Sequence, residues 1–381
     1  MMTDKNILIT GGGTGGHLYP AVAVIEEIRK KYPGTNIVFI GSKKGSGKRL
    51  IEAMGIKFYA VRARGLAGGG NRLKKILVYL MFLMELIPGF FRSFYILRKN
   101  RIRMVLGMGG YICAPVLLAS IFSGTPFSLH EQNFIPGRLN RQFSGMARYF
   151  FTSFEDTEKY LKQGSGEKVF SGNPVRESIK KITEIVPDYK KWGLSEGLFT
   201  ITAFGGSQGA MRLNEYILEL AKLKARRTGI QVLLITGTRF YDSILEKIES
   251  VDNKEDIVIK VFPYIDKIEE IYRITDLIIA RAGANTVFEV TAAGIPSILI
   301  PYPFAIDDHQ TYNARYLEQQ GRAILIKEKD LKPGLLEEKI KYLLKDNMKI
   351  YNRMKDLKPP VTSMDSAGII SEKLMEDMFE K

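Results

Sequence analysis

The same opening occurs twice in this chain: a short apolar strand, a run of glycines, then a helical pattern. The strand Ile7–Thr10 leads into GGGTGGH, Gly11 to His17, and the strand Phe199–Phe204 leads into GGSQGA, Gly205 to Ala210. A glycine loop between a buried strand and a helix lets the backbone approach a ligand closely. It also aims N–H groups, with the positive helix end behind them, at an anion. Few folds accommodate that unit twice. The intervening pattern is of the same kind. Short apolar strands are predicted at Ile37–Gly41, Lys57–Val61, Met104–Gly107, Phe127–His130 and Tyr149–Thr152 in the first half. The second half adds Val232–Thr236, Ile257–Val261, Leu277–Ala280, Ser297–Ile300 and Ala323–Ile326. Helical stretches lie between them, and such alternation specifies α/β layers on parallel sheets. It pauses at Gly172-Asn173-Pro174-Val175-Arg176 and in the Lys-rich stretch that follows. The expected architecture is therefore two Rossmann-like, doubly wound domains facing a central cleft. They comprise residues 1–172 and 173–381, with the C-terminal helix free to pack back on the first domain.

Charge separates the two halves. The net charge of +15 lies entirely within Met1 to Gly172, which carries 25 basic and 10 acidic residues. The other half is balanced, so an anionic surface or polyanionic ligand is expected to meet the first half. The single cysteine, Cys113, excludes a disulfide framework and suits a reducing compartment. The first residues lack the apolar stretch of a signal peptide. Within the basic half, Leu73–Leu97 is apolar from Ile76 to Met84, but Glu85, Pro88, Gly89 and Arg92 interrupt it. That is short of the roughly 18 residues a spanning helix needs. Two readings stay open: a buried helix, or a helix whose apolar face lies in a membrane interface between basic flanks.

The candidate site residues follow strands. His17 ends the first glycine loop, where an imidazole can take a proton near neutral pH or simply start a helix. Gly107-Met108-Gly109-Gly110-Tyr111 forms a second loop in the first half, suited to an acceptor phosphate through Gly109, Gly110 and Tyr111. His130-Glu131-Gln132-Asn133 groups polar side chains at a strand's carboxyl end, where α/β sheets bind ligands; Glu131 is the second candidate for a base. In the second half, Gly205 to Gly209 offers N–H groups and the Ser207 hydroxyl to a phosphate. The run Ala284, Asn285, Thr286, Val287, Phe288 permits close approach of a donor at a helix start, and Glu289 can accept both hydroxyls of a ribose. Asp307-Asp308-His309-Gln310 can present carboxylate and amide groups to sugar hydroxyls. With one cysteine and three histidines, and no Asp-x-Asp pair, neither a protein-held metal nor a cofactor is expected. Gly205 to Gly209 also fits G-x-S-x-G, which would make Ser207 a hydrolytic nucleophile with Asp266 and His309 as partners. The first glycine loop has no task in that reading.

Seven runs occur in order: GGGTGGH at Gly11–His17, GMGGY at Gly107–Tyr111, HEQN at His130–Asn133, GNPVR at Gly172–Arg176, GGSQGA at Gly205–Ala210, RAGANTVFE at Arg281–Glu289 and DDHQTYNA at Asp307–Ala314. Together they resemble the MurG family, bacterial lipid-linked N-acetylglucosaminyltransferases of peptidoglycan synthesis. The resemblance implies the GT-B fold, with the donor site mainly in the C-terminal domain and the acceptor site mainly in the N-terminal one. It implies inverting transfer of N-acetylglucosamine from UDP-GlcNAc to the 4-hydroxyl of MurNAc in undecaprenyl-pyrophosphoryl-MurNAc-pentapeptide. By motif position, Thr14, Gly15, Gly16, Asn133 and Arg176 are implied to meet the donor. Ser207 is implied to hold a phosphate, Ile265 to meet uracil through its backbone, Glu289 to bind the ribose and Gln310 to bind the sugar hydroxyls. The segment around Ile265 matches the family only loosely. The partners implied are the donor, the lipid-linked acceptor, an anionic membrane surface and other cell-wall synthesis proteins, with no nucleic acid. The place implied is the cytoplasmic face of the cell membrane, held peripherally. Rivals in other classes are a glycolipid glycosyltransferase, a UDP-GlcNAc epimerase that needs no acceptor, and a nucleic-acid-binding protein using the basic charge.

Overall fold

The computed structural model describes residues 5–12, 15–43, 47–62, 72–206, 209–220, 229–249 and 258–379. It divides into two compact units, Met1–Arg176 with Asp365–Lys381, and Glu177–Met364. The sequence alone puts the break at 172/173, with the C-terminal helix free to pack back on the first domain. In the structure the chain crosses four residues later, and residues 365–381 go with the first unit.

Among the described residues, the first unit holds seven strands: β1 (Asn6–Thr10), β2 (Asn36–Gly41), β3 (Lys57–Ala60), β4 (Met104–Gly107), β5 (Phe127–Glu131), β6 (Tyr149–Thr152) and β7 (Glu167–Phe170). They form one sheet in the order β3-β2-β1-β4-β5-β6-β7, every neighbour parallel. Strand β1 shows why both faces are covered. Its side chains alternate across the sheet: Ile7 and Ile9 enter one core with the helix Gly15–Lys31. Leu8 enters another, with the helices Arg72–Lys99 and Cys113–Ser123.

The last helix, Val361–Phe379, belongs to the first of these cores. Ala367, Ile370, Leu374 and Met378 recur at helical spacing and are buried there with Met375. Each large side chain so buried contributes roughly 1.5–3 kcal/mol, enough to hold a terminal helix far from its neighbours in sequence. Arg148 adds an ion pair to the buried Asp377 at 2.7 Å.

The second unit holds β8 (Phe199–Phe204), β9 (Ile230–Ile235), β10 (Val258–Phe262), β11 (Leu277–Ala280), β12 (Ser297–Leu299) and β13 (Ala323–Leu325). Their order is β10-β9-β8-β11-β12-β13, again all parallel. In both sheets the chain runs outward from the first strand on one side, then restarts on the other. The switch points are β1/β4 and β8/β11. Ligands of doubly wound sheets bind outside the carboxyl ends of the strands at such points, so the fold nominates one place in each unit.

Candidate functional site

At the β1/β4 switch point, the loop after β1 enters the helix Gly15–Lys31, with His17 in its first turn. The loop after β4 turns at Gly109 and Gly110, whose φ angles are 96° and 81°. The His17 ring lies against that turn. A Cβ on Gly109 would stand 3.0 Å from His17 Cε1, and one on Gly110 would stand 3.3 Å from Cδ2. The backbone conformation favours glycine at both positions, and the ring leaves little room for a side chain there.

The residues after β5 complete this end. His17 Nδ1 lies 2.9 Å from Gln132 Oε1. Gln132 Nε2 donates to the Met108 carbonyl at 2.8 Å and meets His130 Nδ1 at 2.9 Å. His130 Nε2 lies 3.1 Å from the Gly172 carbonyl. Both Gln132 and His130 are buried, and burial pushes the His130 imidazole down to about 4. Residues two apart on a strand share a face, so His130 and Gln132 act together while Glu131 points the other way. Its Oε1 accepts from the Asn133 backbone and side-chain N–H groups at 3.0 and 3.2 Å. Its Oε2 accepts from Gly137 N at 2.9 Å and Asn140 Nδ2 at 2.8 Å. Nearby, the Arg176 guanidinium stacks over the Tyr19 ring at 4.4 Å. Gly15 and Gly16 open the helix that carries His17, and Tyr111 follows the Gly110 turn; Thr14 lies outside the described residues.

The β8/β11 switch point is furnished differently. After β8 the backbone turns at Gly206 and Gly209, with φ of 82° and 71°; a Cβ on Gly209 would run into the Thr236 carbonyl. Ser207 lies outside the described residues. After β11, Arg281 is buried against the Ile300 and Pro301 carbonyls and pairs with Glu328. Arg281 thus anchors the turn from which the helix Ala284–Ala292 starts at Gly283. Ala284, Asn285 and Thr286 form the first turn of that helix, whose amides carry its positive end. Val287 and Phe288 are buried beneath them. Glu289 is also buried, and Tyr272 Oη donates to its Oε2 at 3.4 Å. Ile265 is buried in the loop after β10. Gln310 Oε1 accepts from Tyr302 N at 2.9 Å, across the loop after β12. Sequence reasoning singled out His130 and Gln132 only as members of a run and missed Tyr272. The i, i+2 spacing on a strand end was the available signal for the first pair; none marked the tyrosine.

The helix Arg72–Lys99 is buried along one side and exposed along the other. Ile96 and Leu97 are buried and Phe90 and Phe94 pack on the core. On the opposite side Met84, Ile87, Phe91 and Tyr95 are exposed, by 73%, 56%, 65% and 58%. Phe122 of the adjoining helix extends this exposed apolar face. Among the described residues, no helix is long and apolar enough to cross a membrane.

Two parallel, doubly wound units, each with a glycine turn at its switch point, make a pair of Rossmann-like domains. In agreement, residues 7–152 match the Glycosyltransferase family 28 N-terminal domain and residues 200–366 the Glycosyltransferase family 28 C-terminal domain. The UDP-N-acetylglucosamine–N-acetylmuramyl-(pentapeptide) pyrophosphoryl-undecaprenol N-acetylglucosamine transferase of Caldanaerobacter subterraneus subsp. tengcongensis is 38% identical over 94% of this chain and 96% of its own. The chain belongs to that family of transferases. A crystal structure of MurG from Acinetobacter baumannii is 25% identical, with a TM-score of 0.71 over 98% of this chain and 99% of that one. The UDP-GlcNAc 2-epimerase of Neisseria meningitidis, solved with UDP-GlcNAc bound, shares the fold alone. It is 16% identical, with a TM-score of 0.66 over 97% of this chain and 100% of that one.

Proposed function

We propose that this enzyme moves N-acetylglucosamine from UDP-GlcNAc to the 4-hydroxyl of MurNAc in undecaprenyl-pyrophosphoryl-MurNAc-pentapeptide, inverting the anomeric configuration. One observation carries this reading: the near full-length identity to a transferase of that name. The geometry supplies a mechanism. The acceptor hydroxyl must lose its proton as it attacks, and a base within hydrogen-bond reach assists. His17 is that base. Glu131, with both oxygens engaged by four N–H groups, holds the loop from Asn133 to Asn140 in place. As the sugar–phosphate bond breaks, UDP gains negative charge. The amides of Gly205 and Gly206 and those of the helix start at Ala284 stabilise that charge without reorganising.

Substrate contacts follow from the same loops. Glu289 accepts the ribose hydroxyls, held by Tyr272. Ile265 presents its backbone to uracil, Ser207 binds a phosphate and Gln310 binds the sugar. Thr14, Gly15, Gly16, Asn133 and Arg176 also contact the donor. Gly109, Gly110 and Tyr111 receive the acceptor. The acceptor's lipid brings the enzyme to an anionic bilayer at the cytoplasmic face. There the exposed face of Met84, Ile87, Phe91, Tyr95 and Phe122 enters the interface, while Arg92, Arg98 and Lys99 meet headgroups.

The test is transfer of labelled GlcNAc from UDP-GlcNAc to the muramyl lipid, supplied in anionic and in zwitterionic vesicles. Labelled product, formed faster on anionic vesicles, is the expected result. Consumption of UDP-GlcNAc without acceptor would replace this reading with an epimerase. Equal rates on both vesicles would remove the anionic membrane from it.

A further inference from the structure

The hydrogen bonds around His17 admit one arrangement of protons. A backbone carbonyl only accepts, so the Met108 oxygen fixes which end of the Gln132 amide is nitrogen. The other end, Oε1, therefore faces His17 Nδ1 at 2.9 Å. Two acceptors cannot sit at that distance, so His17 Nδ1 carries the proton and donates it. The second proton of Gln132 Nε2 goes to His130 Nδ1 at 2.9 Å, which must then be bare. The His130 proton is consequently on Nε2, where the Gly172 carbonyl receives it at 3.1 Å. That carbonyl also accepts from Ser171 Oγ and Ser366 Oγ, each at 2.9 Å.

We propose that Gln132 and His130 are positioning residues that lock His17 in its Nδ1–H tautomer, leaving the lone pair on Nε2 for the acceptor proton. The proposal rests on the reading of His17 as the base and deepens it. An isolated neutral imidazole in water prefers its proton on Nε2, so without a lock the ring would more often turn its lone pair toward the protein interior. Gln132 suits the task because its amide is held at both ends. His130 suits it because burial keeps it neutral, with Nδ1 able to accept. An amide oxygen also orients the ring without placing a negative charge beside it. The Gly109–Gly110 turn closes one side of the ring, so tautomer and orientation are fixed together. In catalytic triads a base held in the wrong tautomer loses up to about 10⁴-fold in rate. Here the expected loss is about 10- to 1,000-fold, because the unlocked ring still samples the working form.

The chain has three histidines, so the tautomer can be read directly. The full-length protein, labelled with ¹⁵N-histidine, is measured by long-range ¹H–¹⁵N NMR, and signals are assigned through His17→Gln and His309→Gln. The expected result is Nδ1–H at His17 and Nε2–H at His130. An Nε2–H signal at His17 in the native protein overturns the proposal with no variant needed. The second measurement is Gln132→Met, which keeps volume and removes the acceptor. It should move His17 toward Nε2–H and lower kcat at least tenfold, with the KM for UDP-GlcNAc unchanged. A switched tautomer with kcat within twofold overturns the positioning role. The parallel variant His17→Ala separates the two claims. If it retains native activity, the base assignment fails whatever the tautomer.

Discussion

The two switch points share a topology and differ in what they present. At the end of β1, β4 and β5 the functional groups are side chains in a closed set of hydrogen bonds: His17, Gln132, His130 and a backbone carbonyl. At the end of β8 and β11 they are backbone amides at a glycine turn and a helix start, with one buried carboxylate, Glu289. A proton can be moved at the first. At the second, an anion and a diol can be held. The same strand-loop-helix unit is thus proposed to serve two tasks, with the task set by the residues just past the strands. The comparison predicts that damage at the first end shows in turnover and damage at the second in donor binding.

The largest effect is expected from His17→Ala. Loss of a general base costs about 10²- to 10⁴-fold in rate, and UDP affinity should change little if the nucleotide is held, as proposed, by the loops after β8 and β11. Steady-state kinetics with a parallel UDP titration measure both. Activity within twofold of native would end the assignment of proton chemistry to the first end.

Acid should distinguish the two units next. The His130 imidazole is held down to about 4 by burial, with the nearby His17 charge adding to it and the Gly172 hydrogen bond opposing. An unfolded histidine titrates near 6.5. Between those values the unfolded chain binds the extra proton, so stability present above pH 6.5 is lost as pH falls through 4. The loss is about 3 kcal/mol. Hydrogen exchange followed by peptide mass spectrometry reads both units in one sample. Protection of peptides from β1, β4 and β5 should fall more steeply with acid than that of peptides from β8 and β11. In His130→Asn the excess slope should disappear; if it persists, other groups carry it.

Much of this contrast was legible in the sequence, because a glycine loop after a buried strand is a local signal. The strands at both switch points lie where their apolar runs end. Strand β7 was not legible. Glu167–Phe170 has two apolar residues and a half-exposed edge position, so no periodicity announces it. The chain crossing was placed four residues early because the stretch from Gly172 to Arg176 has no repeating pattern to locate a boundary. The last helix carries no motif, and only its spacing of Ala367, Ile370, Leu374 and Met378 hints at a buried face. Within the site, Gln132 was passed over for a physical reason. Its partner His17 lies 115 residues away, and no local pattern encodes so distant a hydrogen bond. Glu131 looked like a second base because a carboxylate after a strand is chemically able. The donors around it come from the turn at Asn133 and Gly137 and from Asn140 on the helix Arg138–Phe143, which the sequence does not place in space.

The smallest effect belongs to the second end. Glu289 is buried on the helix Ala284–Ala292, where the Tyr272 hydroxyl donates to it, and it is proposed to take both ribose hydroxyls. Glu289→Gln keeps its shape but replaces one acceptor oxygen with a donor and removes the charge. A hydrogen bond to a charged group contributes about 1.5–3 kcal/mol, and the amide retains part of that. The KM for UDP-GlcNAc should therefore rise about tenfold, corresponding to roughly 1.4 kcal/mol. The ribose is far from the breaking bond and its contacts do not change along the reaction. Such an interaction stabilises ground and transition states alike, so kcat should stay nearly constant. A 2′-deoxyribose donor should lose the same factor with the native enzyme, and lose little more with the variant. If Glu289→Gln instead lowered kcat at unchanged KM, the carboxylate would be acting on the reaction itself. The division between a proton-moving end and a binding end would then fail.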